Sequence, residues 1–353
     1  PITFETLTAH KCLVDTFDRN FNYNIEHVAL GEKADVVLVA PASADVIGKM
    51  AAGIADDMLT TTILACKCKK IVAPAMNTNM YENPVVQANL KKLKEFGMEV
   101  IEPASGMLAC RVEGKGKLPS EEVLLEYILR EIQFEKDMTG KKVLVTAGAT
   151  QEAIDPVRYI TNHSSGKMGY ALARAAAVRG AAVTLVSGPV SLAAPQGVEI
   201  VPVVSSADMF RAIDARFDAC DALIMAAAPA DFTPQSPQQQ KIKKQGGGMS
   251  LNLRNTRDIL GAMGQRKEGR VLMGFAAESE RLAENAQAKL RRKNLDYIAA
   301  NDILAQDAGF AVDTNRVILY DQKGGARDSG PMTKDALADW LLDILSSRLR
   351  ERP

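Results

Sequence analysis

Residues 167–189, KMGYALARAAAVRGAAVTLVSGP, decide the fold. The first fourteen read as a strong helix with Gly180 as its C-cap. The next nine, AAVTLVSGP, are an apolar, β-branched run closed by Gly-Pro, the signature of a strand buried on both faces. Upstream, KKVLVTAG (141–148) is another such strand running into Gly148. A helix between two apolar strands is the repeating unit of a parallel α/β sheet.

The pattern continues in both directions. Toward the C-terminus, EIVPVV (199–204), DALIMAAA (221–228), RVLMGFAAE (270–278) and LDYIAAND (295–302) read as strands. Helices are expected at 206–216 and 280–293, an added hairpin-like strand at NRVILYD (315–321), and an amphipathic helix at 334–349. PQSPQQQKIKKQGGG (234–248) has the composition of a flexible loop. Toward the N-terminus, ADVVLVA (34–40), KKIVAPAM (69–76) and MEVIEP (98–103) are expected strands, with helices at 44–53, 83–97 and 120–132, the last capped by Ser120. QFEKDMTGKK (133–142) is polar and aperiodic and marks a domain boundary. The expectation is two doubly wound, Rossmann-like α/β domains, residues 1–135 and 139–353.

Bulk properties narrow the function. The 353 residues carry 43 basic and 43 acidic side chains, so net charge argues against a nucleic-acid binder that works by bulk charge. There is no apolar run of 18 residues, so a soluble, cytoplasmic protein with no membrane partner is expected. Five scattered cysteines fit a reducing compartment better than a disulfide framework. Cys66 and Cys68 lack the second pair that a zinc site needs, and no metal-ligand cluster is expected.

In doubly wound sheets ligands sit beyond the carboxyl ends of the strands, so strand-end residues deserve the closest reading. In the first domain these are Pro41-Ala42-Ser43-Ala44-Asp45, Pro74-Ala75-Met76-Asn77-Thr78-Asn79-Met80-Tyr81, and Ser105-Gly106-Met107-Leu108-Ala109-Cys110. Ser43 is either an anion or ring-carbonyl contact or a plain N-cap. Asn77 between two methionines suits a flat apolar ligand with one polar anchor, or is a turn residue. His27 is either structural or a general base, and Cys110 either inert or a proton donor. Taken in order, His27, PASAD, PAMNTNMY and SGMLAC resemble the flavin-containing cysteine decarboxylases. That resemblance implies a flavodoxin-like first domain, with His27 as catalytic base and Asn77 and Met80 on the substrate carboxylate. It implies Cys110 as the group that returns a proton, and Ser43, Ala44, Asp45 and Met76 against FMN. Asp45 and Tyr81 replace residues common in that family. The family opens with a strand and a phosphate loop that lie ahead of Pro1, so the domain is expected to be N-terminally incomplete and to hold FMN substoichiometrically.

In the second domain VTAGATQEAIDPVRYITNHSSGKMG (145–169) joins strand to helix, with Gly148 and Ser164-Ser165-Gly166 forming an anion site or simply a capped helix. AAAPADF (226–232) brings Asp231 to a strand end. Lys241 begins KIKK, a solvated charge run or a lid over a phosphoryl group. Lys289 and Lys293 share a helix face. These segments, with GFAAE, KNLD and AND (300–302), resemble phosphopantothenate–cysteine ligases over nearly all of 141–349, and the fused order is that of bifunctional enzymes of coenzyme A synthesis. The resemblance implies CTP as co-substrate and Mg²⁺ carried on its triphosphate. Asn162 and Lys241 are then catalytic, with Arg158 and Asn162 facing the acyl substrate. Met225, Ala226, Ala227, Asp231, Lys241, Arg257, Asp258, Ile259, Leu260, Phe275, Lys289 and Lys293 would hold CTP. The implied partners are phosphopantothenate and cysteine, and the implied assembly a homo-oligomer. His163 is read as structural. A nicotinamide oxidoreductase is the rival, weakened by the missing G-x-G-x-x-G and ribose-binding acid. A second rival keeps the ligase and makes the first domain non-catalytic.

Overall fold

The computed structural model describes residues 1–16, 26–107, 113–133, 135–243, 249–278, 281–302 and 314–351. The chain divides into two units, Pro1–Glu135 and Lys136–Pro353.

In the N-terminal unit three parallel strands form one sheet: β1 (Val36–Ala42), β2 (Lys69–Pro74) and β3 (Glu99–Val100), in that spatial order. β1 runs through Pro41 instead of stopping there, with a register irregularity between Val39 and Ala42. The β3 strand keeps only two of the six residues expected. One layer of core gathers Val39, Ile47, Val72, Leu90 and Leu93; another joins Ile71, Ala73, Ile101, Leu124 and Tyr127. Helix Glu121–Ile132 starts after Ser120, whose side chain makes no cap bond to the backbone. Helix Met58–Ala65 was not legible as such. Its Asp57–Thr60 capping box is formed, but its hydrophobicity lacks a clear period.

The C-terminal unit is built on an eight-stranded sheet. Its strands are β4 (Lys142–Ala147), β5 (Ala182–Ser187), β6 (Val198–Pro202), β7 (Ala222–Met225), β8 (Val271–Glu278), β9 (Tyr297–Asp302), β10 (Ile318–Asp321) and β11 (Ala326–Asp328). The spatial order is β6-β5-β4-β7-β8-β9-β10-β11. The first six are parallel, and β10 and β11 add as an antiparallel hairpin. Both faces are covered, which is why β4, β7 and β8 are apolar almost throughout. Helix Lys167–Val178 packs against β4 at Gly169, where a Cβ would stand 2.6 Å from both Ala147 Cβ and Thr146 O. The same helix ends at Val178, with Gly180 at φ 88° closing it.

Two structured pieces emerge where loops were expected. Gln151–Ala153 pairs with Tyr159–Thr161 as a hairpin. Phe232–Pro234 pairs with Leu253–Asn255, so the Gln-rich loop springs from a two-stranded base.

Candidate active sites in the two units

The order β5-β4-β7-β8 puts the topological switch between β4 and β7. The chain leaves β4 for one side of the sheet and leaves β7 for the other, which opens a crevice at their carboxyl ends. A cavity of about 960 Å³ occupies that place. Its walls come from Thr161–Gly169 after β4, Met225–Phe232 after β7, Asn255–Leu260, Phe275–Ala277 at the end of β8, and Lys289, Arg292 and Lys293.

Buried hydrogen bonds fix this wall. Thr146, fully buried in β4, accepts from the Ala227 N–H at 3.0 Å. Thr150 accepts from Ala230 N–H at 3.0 Å and donates to the buried Glu152 carboxylate at 3.0 Å. The strand-end backbone of β7 is thereby tied to the segment after β4. Asn162 follows the hairpin directly, and its amide donates to the carbonyls of Ala228 and Pro229 at 3.2 and 3.1 Å.

The cavity is cationic. Lys167, Arg257, Lys289, Arg292, Lys293 and Lys334 line it against the carboxylates Asp231 and Asp258, a balance that suits a polyanion. Arg257 is held over the Phe210 ring at 3.8 Å from its centroid. Asp258 caps helix Ile259–Gln265 by accepting from Gly261 N–H at 2.9 Å. Partial burial pushes its carboxyl pKa up, but Lys293 and the Gly261 N–H bring the net value below the ordinary range.

Among the residues nominated from sequence, Asn162, Met225, Ala226, Ala227, Asp231, Arg257, Asp258, Ile259, Leu260, Phe275, Lys289 and Lys293 all border this one cavity. Lys241 and Arg158 do not line it. Arg158 sits at the turn of the 151–161 hairpin, paired with Asp155, and Lys241 on the strap just before Ile242. His163, read as structural, lines the cavity. Lys334, Asn315 and Asn301 line it without having been nominated. Lys334 is only 7% exposed although it opens the last helix, where a cation opposes the helix dipole; amphipathic periodicity alone gives no hint of that. The Asn301 side-chain oxygen is buried without a hydrogen-bond partner among the described residues.

In the N-terminal unit β1 and β2 are parallel neighbours with Ala42 opposite Pro74. Ser43 and Asn77 therefore leave adjacent strand ends. Ser43 caps helix Ala44–Ala52 by accepting from Val46 N–H at 3.3 Å, and Asn77 caps the turn Thr78–Tyr81 by accepting from Asn79 N–H at 2.9 Å. Ala44 is half-buried, Asp45 exposed and within 3.6 Å of Lys49, Met76 half-buried and Met80 49% exposed. The hairpin Ala104–Met107/Glu113–Lys117 closes on this edge so tightly that a Cβ at Gly116 would fall 2.2 Å from Met76 O. Tyr81 donates to Glu102 at 3.2 Å, and Lys115 reaches the same oxygen at 2.7 Å. His27 stands in the first turn of helix Glu26–Lys33. Cys110 lies outside the described residues. The paired strand ends, with small Ala42 and Ala44, polar Ser43 and Asn77 and apolar Met76, fit one face of a planar ring. No group of His, Cys, Asp or Glu that could hold a metal occurs among the described residues.

The two halves match two families. The family described as Flavoprotein matches residues 1–133, and the C-terminal domain of DNA/pantothenate metabolism flavoproteins matches residues 138–349. The coenzyme A biosynthesis bifunctional protein CoaBC of Bacillus subtilis (strain 168) is 48% identical, with 100% of this chain and 88% of that protein aligned. The chain belongs to this family. It is an enzyme of coenzyme A biosynthesis, with a Flavoprotein unit followed by a DNA/pantothenate metabolism flavoprotein C-terminal unit. A cysteine/cysteine sulfinic acid decarboxylase from an unknown prokaryotic organism is 43% identical over 98% of each chain. A crystal structure of the C-terminal domain of a CoaBC family member superposes with a TM-score of 0.54 at 38% identity, covering 62% of this chain and 100% of that one. Among the described residues no helix is long and apolar enough to cross a membrane.

Proposed function

We propose that the C-terminal unit joins phosphopantothenate to cysteine at the expense of CTP. The observation that carries this reading is the convergence of Asn162, Asp231, Arg257, Lys289 and Lys293 on one cationic cavity at the sheet's switch point. A triphosphate and a phosphorylated acid are both polyanions, and both must be brought together away from bulk water. The phosphopantothenate carboxylate attacks the α-phosphorus of CTP. The bond to the β-phosphate oxygen breaks, and pyrophosphate leaves. The cysteine amine then attacks the acyl carbon of the acyl-cytidylate, releasing CMP and forming the amide. Lys289 and Lys293 offset the triphosphate charge, and backbone groups at 225–227 read the base edge. Asn162, fixed to the 228–229 carbonyls, borders the acyl intermediate. Lys241 neutralises charge at the transferred phosphorus when its strap swings over the cavity. Mg²⁺ enters on the triphosphate.

The N-terminal unit then decarboxylates phosphopantothenoylcysteine. FMN would supply a reversible two-electron oxidation of the thiol, which lets CO2 depart and leave its electron pair on the substrate, with both electrons afterwards handed back so that the product is again a saturated thiol. Ser43, Ala44, Asp45 and Met76 would hold the ring, His27 takes the thiol proton, Asn77 and Met80 hold the carboxylate, and Cys110 returns a proton. The reading places a homo-oligomer in the cytoplasm, acting on small molecules.

The test is pyrophosphate release by the purified chain given CTP, Mg²⁺, phosphopantothenate and cysteine. Release that needs CTP and phosphopantothenate together supports the reading. No release, with all four present and the protein folded, overturns it.

A further inference from the structure

The two residues nominated for ligase chemistry, Asn162 and Lys241, are 79 positions apart in sequence, yet one hairpin touches both segments. Its base ends at Thr161, next to Asn162. Its turn, 154–158, grips the strap that carries Lys241. Asp155 Oδ2 accepts from the N–H of Ile242 at 3.0 Å. Arg158 donates to the carbonyl of the same Ile242 at 2.8 Å. Gln238 N–H donates to Ile154 O at 2.9 Å, a second stitch. Both polar groups of the residue after Lys241 are thus held by one carboxylate–guanidinium pair.

The Asp155 carboxylate is built for this. Its side chain is fully buried. It accepts from the N–H groups of Val157 and Arg158, both at 2.9 Å, and pairs with the Arg158 guanidinium. A buried carboxylate needs such partners to stay ionised. A turn alone needs no bond to a strap 87 residues downstream, so the Ile242 contact is the informative one.

We propose that Asp155 is the positioning residue for Lys241: through the Ile242 peptide it fixes the backbone from which the lysine side chain reaches out, in register with Asn162 at the other end of the hairpin. Arg158 then acts on the strap, where sequence had placed it on the acyl substrate. This inference rests on the ligase reading.

The test compares the full chain with Asp155→Asn and Ile242→Pro. The first removes the charge, and the second removes the donated N–H while fixing φ at 242. Each should lower ligase kcat by roughly tenfold to a hundredfold, the range expected for one hydrogen bond to a charged group, with KM for cysteine nearly unchanged. Asp155→Glu should recover part of the rate. Loss of the Asp155 bond should expose the Lys241–Ile242 peptide bond. Trypsin should therefore cut there faster in Asp155→Asn than in wild type, with CTP slowing the wild-type cut. If Asp155→Asn fails to fold, Ile242→Pro decides. Wild-type turnover matched by Ile242→Pro overturns the proposal while leaving the ligase reading standing; a wild type that releases no pyrophosphate defeats that reading itself.

Discussion

Lys293 Nζ lies 2.7 Å from Asp258 Oδ1 on the wall of the C-terminal cavity. The same oxygen caps a helix by accepting from Gly261 N–H. A carboxylate fixed by a helix terminus is a rigid partner for a flexible lysine. The ammonium is thereby held at the cavity edge, where an incoming triphosphate can share it.

Lys293→Gln should raise KM for CTP about tenfold, equivalent to about 1.4 kcal/mol, with a smaller change in kcat. That split marks binding shared by ground and transition states. Steady-state kinetics with CTP varied checks it. An unchanged KM removes Lys293 from the nucleotide site.

Gly169 tests the packing that places the cavity floor. A Cβ there meets backbone and side-chain atoms of Thr146 and Ala147 at 2.6 Å. Neither can retreat, because Thr146 also holds Ala227 N–H. Gly169→Ala should therefore cost about 1–3 kcal/mol, despite the better helix propensity of alanine. Calorimetry on the full chain should show the C-terminal unit's transition lowered and the other unaffected.

Acid should release the Asp155 latch in a defined direction. The Arg158 guanidinium, followed by the N–H groups of Ile242, Val157 and Arg158, holds the Asp155 pKa far below the usual carboxylate value, against a rise from desolvation. A depressed folded-state pKa adds stability that is full above the unfolded value of about 3.9 and is lost as pH falls through the folded value. The gap in melting temperature between wild type and Asp155→Asn should hold steady from pH 8 to about pH 5, then narrow in stronger acid. A gap that widens in acid would contradict the pairing.

Much of this was legible in the sequence. Buried parallel strands such as VLVTA and AVTLV announce themselves because both faces are covered, and strand ends then point to the ligand site. Residues 151–161 and 232–255 were not legible as paired strands. Each strand is three residues long, and the pairs are held by contacts such as Gln151 N–H to Val204 O and Thr256 Oγ1 to Ala230 O, which no local pattern encodes. Lys334 escaped notice for a similar reason: no local pattern signals that the last helix's first residue lines the cavity. Lys241 could be nominated by motif resemblance, but its tether to Asp155 exists only in three dimensions.

The most direct measurement follows an oxygen atom. Phosphopantothenate labelled with ¹⁸O in its carboxylate is turned over with CTP and cysteine, and the products are weighed by mass spectrometry. Attack of that carboxylate on the α-phosphorus predicts one ¹⁸O in CMP and none in pyrophosphate. Label in inorganic phosphate, or unlabelled CMP alongside product, would contradict the account.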